Sequence, residues 1–196
     1  MNILKPENST SRRGWKYSGR ERGVTVVELL MTVSIAAILL TVGVPTYSNV
    51  LHKNRIGTTS SLLHTSLNVA RGEAVKRRRG IMVCPSSDGS SCREDGDWSD
   101  GWLTYEDLNS NSSPETTEII RVVDALDSSV AIAVSEPISG YLQFQPTGIM
   151  VGSGGNNGEF RICHGDSTVY SHVLSVSPAG QVRLRQRTQS DCGESS

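Results

Sequence analysis

The feature that most constrains this chain is an uninterrupted apolar run near its start. From Val24 to Val44 it reads VTVVELLMTVSIAAILLTVGV, with Glu28 its only charge. As a helix rising about 1.5 Å per residue it is roughly 30 Å long, the thickness of a bilayer's hydrocarbon core. A secretory signal peptide has a shorter apolar core that ends in an A-x-A-like site, and this run has neither. The run therefore predicts a single membrane span, and whatever follows must be carried across a membrane or held on one. An acidic group at mid-membrane costs on the order of 2.5–3.5 kcal/mol, and less near the interface. Glu28, near one end, is tolerated in a plain single-span anchor, or else it marks a function with a partner charge.

The charge pattern orients the span. The chain of 196 residues has a formal net charge of −1, but residues 1–23 hold Lys5, Arg12, Arg13, Lys16, Arg20 and Arg22 against only Glu7 and Glu21. This polar, basic segment reads as a disordered leader, and a positive segment before a span stays cytoplasmic, so the acidic remainder faces outward. The cysteines agree with that placement. Cys84, Cys92, Cys163 and Cys192 all follow the span, on the side where disulfides form and persist. Sequence alone leaves the pairing open. The favoured arrangement is Cys84–Cys92, closing a short loop, with Cys163–Cys192 tying down the tail. No C-x-x-C knuckle supports a four-cysteine zinc site, and no metal or cofactor is expected.

After Pro45 a helical pattern resumes. Leu63, Leu67, Ala70 and Ala74 recur at spacings that share one face, which predicts one long, bent helix from about Val24 to Arg79 with Gly80 as its C-cap. The basic residues of Lys76-Arg77-Arg78-Arg79 suit the last turn of a helix, and Glu73 can pair with Arg77 at i,i+4 spacing. Beyond Gly80 the periodicity becomes β-type, with strands expected over Ile81–Cys84, Trp102–Tyr105, Glu118–Val123, Val130–Val134, Tyr141–Phe144, Glu159–Cys163, Val173–Ser177 and Gln181–Arg187. Ser177-Pro178-Ala179-Gly180 suits a type I turn and predicts a hairpin between the last two strands. Residues 152–158 read as a flexible glycine-rich loop. Periodicity by itself therefore yields an anchored helix followed by a β-rich domain.

Motifs for catalysis are missing. His52, His64, His164 and His172 are scattered, with no H-E-x-x-H or G-x-S-x-G nearby, so no catalytic residues are assigned. The stretch from Asp107 to Glu115 alternates oxygen ligands as a calcium loop does. It lacks the glycine of the sharp turn, and reads as a solvated Asn/Ser loop. In the last strand, alternation points Val182 and Leu184 to one face and Arg183, Arg185 and Arg187 to the other, an arrangement suited to nucleic-acid phosphates.

Gly23 before an apolar residue, Glu28 as the fifth residue after it, the apolar run and then Pro45 resemble the type III signal of type IV pilins. That resemblance implies that a membrane peptidase, the prepilin peptidase, cuts between Gly23 and Val24 and N-methylates Val24, a position where the family usually has Phe. It also implies that Glu28 meets the free amine of a neighbouring subunit. Ala70-Arg71-Gly72-Glu73-Ala74, Val83-Cys84-Pro85-Ser86 and Trp98-Ser99-Asp100-Gly101-Trp102, followed by Asp107 and Asn109, resemble the GspH/FimT branch of pseudopilins and minor pilins.

The resemblance implies an α+β, pilin-like fold: a long N-terminal helix, part membrane span and part amphipathic, packed on an antiparallel β-sheet domain. The chain then divides into a cleaved basic leader over 1–23, a transmembrane helix over 24–44, the continuation of that helix over 45–80, and a periplasmic β-rich domain over 81–196. The implied role is that of a structural and assembly subunit, held in the inner membrane, that joins a type IV pilus or a type II secretion pseudopilus with other pilin or pseudopilin subunits. The alternative is a DNA-binding minor pilin that acts in DNA uptake. Some FimT-type minor pilins carry a C-terminal G-R-x-R segment associated with that role. Here Gly180-Gln181-Val182-Arg183 places Gln181 at the first Arg, and Arg185 and Arg187 are the available substitutes.

Overall fold

The computed structural model describes residues 23–135, 138, 140–164 and 167–187, except for the side chains of 42, 43, 45, 46, 167–170, 186 and 187. The chain divides into two compact units, one ending at Val44 and one beginning at Pro45. A helix, α1, runs Val26–Arg77 and contributes residues to both.

In the first unit α1 starts on a side-chain cap. The Glu28 N–H donates to Thr25 Oγ1 at 3.3 Å, and Thr25-Val26-Val27-Glu28 has the T-x-x-E spacing of a capping box. Glu28 sits in the first turn, where the helix dipole favours a carboxylate. The apolar side chains from Val26 to Leu40 are exposed, while the hydroxyls turn inward. Thr32 donates to Leu29 O at 2.9 Å, Ser34 to Leu30 O at 2.7 Å and Thr41 to Ile38 O at 2.7 Å. The surface of this segment is therefore hydrocarbon, with its hydroxyls satisfied without water. Among the described residues no helix is long and apolar enough to cross a membrane. This departs from the transmembrane helix expected over Val24–Val44.

In the second unit α1 carries a buried stripe of Ile56, Ser60, Leu63, Leu67, Ala70 and Ala74, which includes the four residues whose spacing predicted that face. The helix ends before Arg79, and Gly80 is not its cap. Arg78 takes the left-handed conformation, with φ of 57°, and Arg79 N–H reaches Ala74 O at 3.3 Å, the long bond of a Schellman turn. Ion pairs hold this end. Arg77 meets Glu73 at 2.6 Å and Glu106 at 3.0 Å, Arg79 meets Glu106 at 3.3 Å, and Lys76 meets Glu73 at 3.3 Å. The Arg77 guanidinium, then the Lys76 ammonium, holds the Glu73 carboxyl below its usual range.

Nine strands follow among the described residues: β1 Ile81–Pro85, β2 Trp102–Glu106, β3 Ile119–Val123, β4 Val130–Val134, β5 Leu142–Phe144, β6 Met150–Gly152, β7 Gly158–His164, β8 Ser167–Val176 and β9 Val182–Arg187. Eight of these meet the expected strands. β6 was unforeseen, and β8 begins at Ser167 rather than Val173, because both stretches lack a clean period-2 pattern. The expected antiparallel β-sheet domain consists of two sheets, in the orders β3-β2-β1-β5-β6 and β4-β7-β8-β9, and every pairing is antiparallel.

Both sheets contribute to one core with α1. Ile81, Val83, Trp102, Leu142, Phe144 and Met150 of the first sheet join Val130, Ile132, Phe160, Ile162, Leu174 and Val176 of the second. β1 is buried on both faces: its alternate residues Met82 and Cys84 form a second cluster with Leu103 and Tyr105. Within the second sheet's contact with the helix, His172 Nδ1 lies 2.9 Å from Ser60 Oγ. Burial pushes the His172 imidazole below its ordinary value.

Candidate functional site

The candidate site is the start of α1. Gly23 is exposed, precedes the first helical turn and has no side chain near it: a Cβ built there meets nothing within 4 Å. Val24 is 63% exposed. The Gly23–Val24 peptide thus lies in open, non-helical chain just before the Thr25 cap, and residues 1–22 lie outside the described part. Glu28 is exposed, and none of the ion pairs among the described residues includes it. The structure therefore places Gly23 and Val24 just before an apolar helix and Glu28 in its first turn, with no ion pair to Glu28 among the described residues. Sequence reasoning missed Thr25, although the T-x-x-E spacing was there to be read.

The branch motifs position this fold rather than any chemistry. Ala70 and Ala74 are fully buried, and small side chains there let the sheets approach α1. Arg71 between them donates from Nε to Gly148 O at 3.1 Å and from Nη2 to Ala179 O at 3.2 Å. One guanidinium thereby ties the β5–β6 turn of the first sheet to the β8–β9 turn of the second. The latter is the predicted hairpin, closed by Gly180 N–H on Ser177 O at 2.8 Å. Gly180 has φ of +70°, and a Cβ there would stand 2.0 Å from Gly148 O, so the close approach of the two turns requires glycine.

The Cys84–Cys92 disulfide is formed, closing the loop after β1 over the second cluster. Cys163 on β7 is also disulfide-bonded; Cys192, its expected partner, lies outside the described residues. Inside the closed loop, Asp88 accepts from the N–H groups of Ser90 and Ser91, each at 2.8 Å, which holds its carboxyl well below the usual range.

The loop 107–118 closes on itself. Asp107 accepts from Asn111 N–H at 3.1 Å and Ser112 N–H at 2.9 Å, Asn109 and Asn111 donate to Glu115 at 2.8 Å and 3.2 Å, and buried Glu118 accepts from Leu108 N–H at 2.8 Å. Ser112, at φ of 60°, takes the left-handed turn where the sequence lacked a glycine. Among the described residues, no group of three or more His, Cys, Asp or Glu side chains is placed to hold a metal ion.

The arginines of β9 sit on an edge strand. Arg183 pairs in register with Ser175 and Arg185 with Val173, and both are exposed. Gln181 accepts from Arg183 Nη2 at 3.1 Å, so the residue that departs from the branch pattern orients the next arginine. Both arginines border a groove of about 540 Å³ shared with Asn157, Ser175 and the carboxylate of Glu159. The backbone of Arg187 belongs to β9, and its side chain is outside the description. On the opposite face Val182 reaches the core, whereas Leu184 is 39% exposed, since an edge strand is covered on one side only.

A model of the family described as Type II transport protein GspH matches residues 59–180. No match is found among curated proteins. Solved structures of the type IV minor pilin FimU of Pseudomonas aeruginosa strain PAO1 superpose on the chain. One covers 70% of this chain and 96% of that one, with a TM-score of 0.54 and 23% identity; a second crystal form covers 68% and 98%, with a TM-score of 0.52 and 23% identity. The minor pseudopilin EpsH from the Type 2 Secretion System of Vibrio cholerae is similar at a TM-score of 0.49 and 12% identity, over 67% of this chain and 97% of that one. The FimU structures share the fold, and the family match runs from the buried stripe of α1 to the β8–β9 turn: the chain belongs to the family of the Type II transport protein GspH.

Proposed function

We propose that this chain is a minor pilin or pseudopilin whose α1 is an anchor before assembly and a packing element of a filament afterwards. The observation that carries the reading is Glu28: a carboxylate without a countercharge among the described residues, on a helix whose hydroxyls are internally satisfied and whose surface is hydrocarbon. In a low-dielectric setting such a group gains most from a cation supplied by another molecule. Cleavage between Gly23 and Val24 creates an amine near the same helix end, and the amine of a neighbouring subunit has the required charge. The disulfides support an oxidising compartment for the sheet domain, hence an inner-membrane anchor with a periplasmic domain.

Processing is tested on the mature N-terminus. When the chain is expressed with an active prepilin peptidase, mass spectrometry is expected to show a chain beginning at N-methylated Val24. A chain still beginning at Met1 refutes the reading.

The paired exposure of Arg183 and Arg185 on one face of β9 favours a second reading, DNA contact during uptake. Salt-sensitive retardation of duplex DNA is expected, and the Arg183→Ala/Arg185→Ala/Arg187→Ala variant is expected to lose it, with each phosphate contact contributing a log–log salt slope of about −0.9. Absence of retardation at low salt removes this reading and leaves the assembly role intact.

A further inference from the structure

His52 on α1 and His164 at the end of β7 are in ring contact, with centroids 3.6 Å apart and planes tilted by 53°. Both residues are half-buried, and His52 Nδ1 and His164 Nε2 are buried atoms with no hydrogen-bond partner. An imidazolium has two N–H donors and no acceptor, so a proton added at either of these partnerless buried nitrogens creates a donor with nothing placed to accept from it. The surrounding charge adds to the conflict. Arg55, one turn along α1, faces the pair; it donates to Ser129 Oγ at 2.9 Å and meets Asp127 Oδ1 at 3.4 Å. Asp127, in the β3–β4 connection, is the carboxylate facing His164; it is already ion-paired to Arg55 and accepts from Ser129 N–H at 3.0 Å. Lys53 and His172 border the neighbouring groove.

The position of the pair gives it leverage. Ile56 is the first fully buried side chain described along α1, and His52 stands one turn before it. The imidazole contact is thus the outer margin of the packing between helix and second sheet. The unit to which it belongs begins at Pro45, only two turns further toward the helix start.

We propose that the His52–His164 contact is an acid-released clasp: neutral imidazoles hold the outer turns of α1 against β7, and proton uptake parts them. Burial first, then His164 and then Arg55, lowers the His52 imidazole below its ordinary value. The sign follows from linkage. A group whose folded value lies below its unfolded value binds fewer protons when folded, so its stabilisation is full above about pH 6.5 and is lost as pH falls below that. The clasp is therefore closed at neutral pH and opens in mild acid, freeing the helix turns near residue 52 while the stripe from Leu63 to Ala74 stays packed. The device does not depend on which filament the subunit enters.

The test uses the full chain in detergent micelles, with hydrogen exchange followed at about pH 7.5 and about pH 5, on either side of the ordinary imidazole value. After correction for intrinsic rates, amides around residues 50–58 are expected to lose about tenfold in protection at the lower pH, and those around 66–74 to lose little. The His52→Gln/His164→Gln variant is expected to show equal protection at both. Equal protection in the unsubstituted chain overturns the proposal. So does an undiminished acid-induced loss in the variant, or a uniform loss along the helix. Should the variant not fold, the His52 titration of the unsubstituted chain decides: a value displaced below the ordinary one supports the clasp, and an ordinary value overturns it.

Discussion

Trp98→Ala is expected to lower the unfolding free energy by about 3–5 kcal/mol, the usual range for removing a large aromatic side chain from a core. Trp98 is 0% exposed and meets the Phe160 ring edge-on, with centroids 4.9 Å apart and planes at 79°. It lies in the loop between β1 and β2, whereas Phe160 belongs to β7 of the other sheet. The neighbouring Ser99 reinforces the join: its carbonyl accepts from Leu126 N–H at 3.1 Å and its hydroxyl from Ile132 N–H at 3.0 Å. The truncation therefore opens a void at the seam between two sheets, where no single sheet can close it. Since domains of this kind are stable by only about 5–15 kcal/mol, the loss is a large fraction of the total. Denaturant unfolding followed by far-ultraviolet circular dichroism measures it as a lower midpoint at unchanged slope. Trp98→Phe, which keeps an aromatic face against Phe160, is expected to cost less than half as much. A loss under about 1 kcal/mol for the alanine variant would show that the loop is not anchored there.

Glu28→Ala is expected to leave membrane insertion intact and to reduce entry into filaments by at least about tenfold. The structure gives Glu28 two parts to play, and substitutions separate them. Its N–H rests on Thr25 Oγ1, and its carboxylate, with no ion pair among the described residues, stands near the positive end of the helix dipole, a position stabilised by about 0.3–1 kcal/mol. A unit-charge pair about 4 Å apart at an effective dielectric of about 20 is worth roughly 4 kcal/mol, so an intersubunit amine outweighs the capping term. Glu28→Gln keeps a side chain suited to the third capping-box position but removes the charge. If charge pairing governs assembly, Gln fails as Ala does. If capping governs, Gln is incorporated while Ala is not. Normal incorporation of both would show the carboxylate to be dispensable and would remove the central support of the proposed function.

The difference between these two residues bears on what a sequence shows. Glu28 stands out because it is the lone charge in an apolar run, a one-dimensional signal. Trp98 shows only that a large apolar group sits in a polar loop; its partner is 62 residues away on another sheet. The same division holds elsewhere. The buried stripe of α1, the turn at Gly180 and the short Cys84–Cys92 loop are local, and each forms as spacing and turn chemistry predict. The end of α1 does not follow local preference, because Arg78 accepts the left-handed position that Gly80 was expected to hold. Its flanking residues Arg77 and Arg79 pair with the buried Glu106 of β2, tertiary contacts that no local preference encodes.

The sequence by itself determined a hydrocarbon-surfaced helix with one carboxylate near its start, a long helical continuation and a run of antiparallel strands, because periodicity and turn residues act over a few positions. Only the tertiary structure decided that the strands divide into two sheets and that Arg71 ties a turn of each to α1. It also decided that His52 meets His164. Those outcomes depend on which distant segments bury one another's apolar faces, and that choice is made by three-dimensional packing, to which a pattern of alternation along one strand is blind.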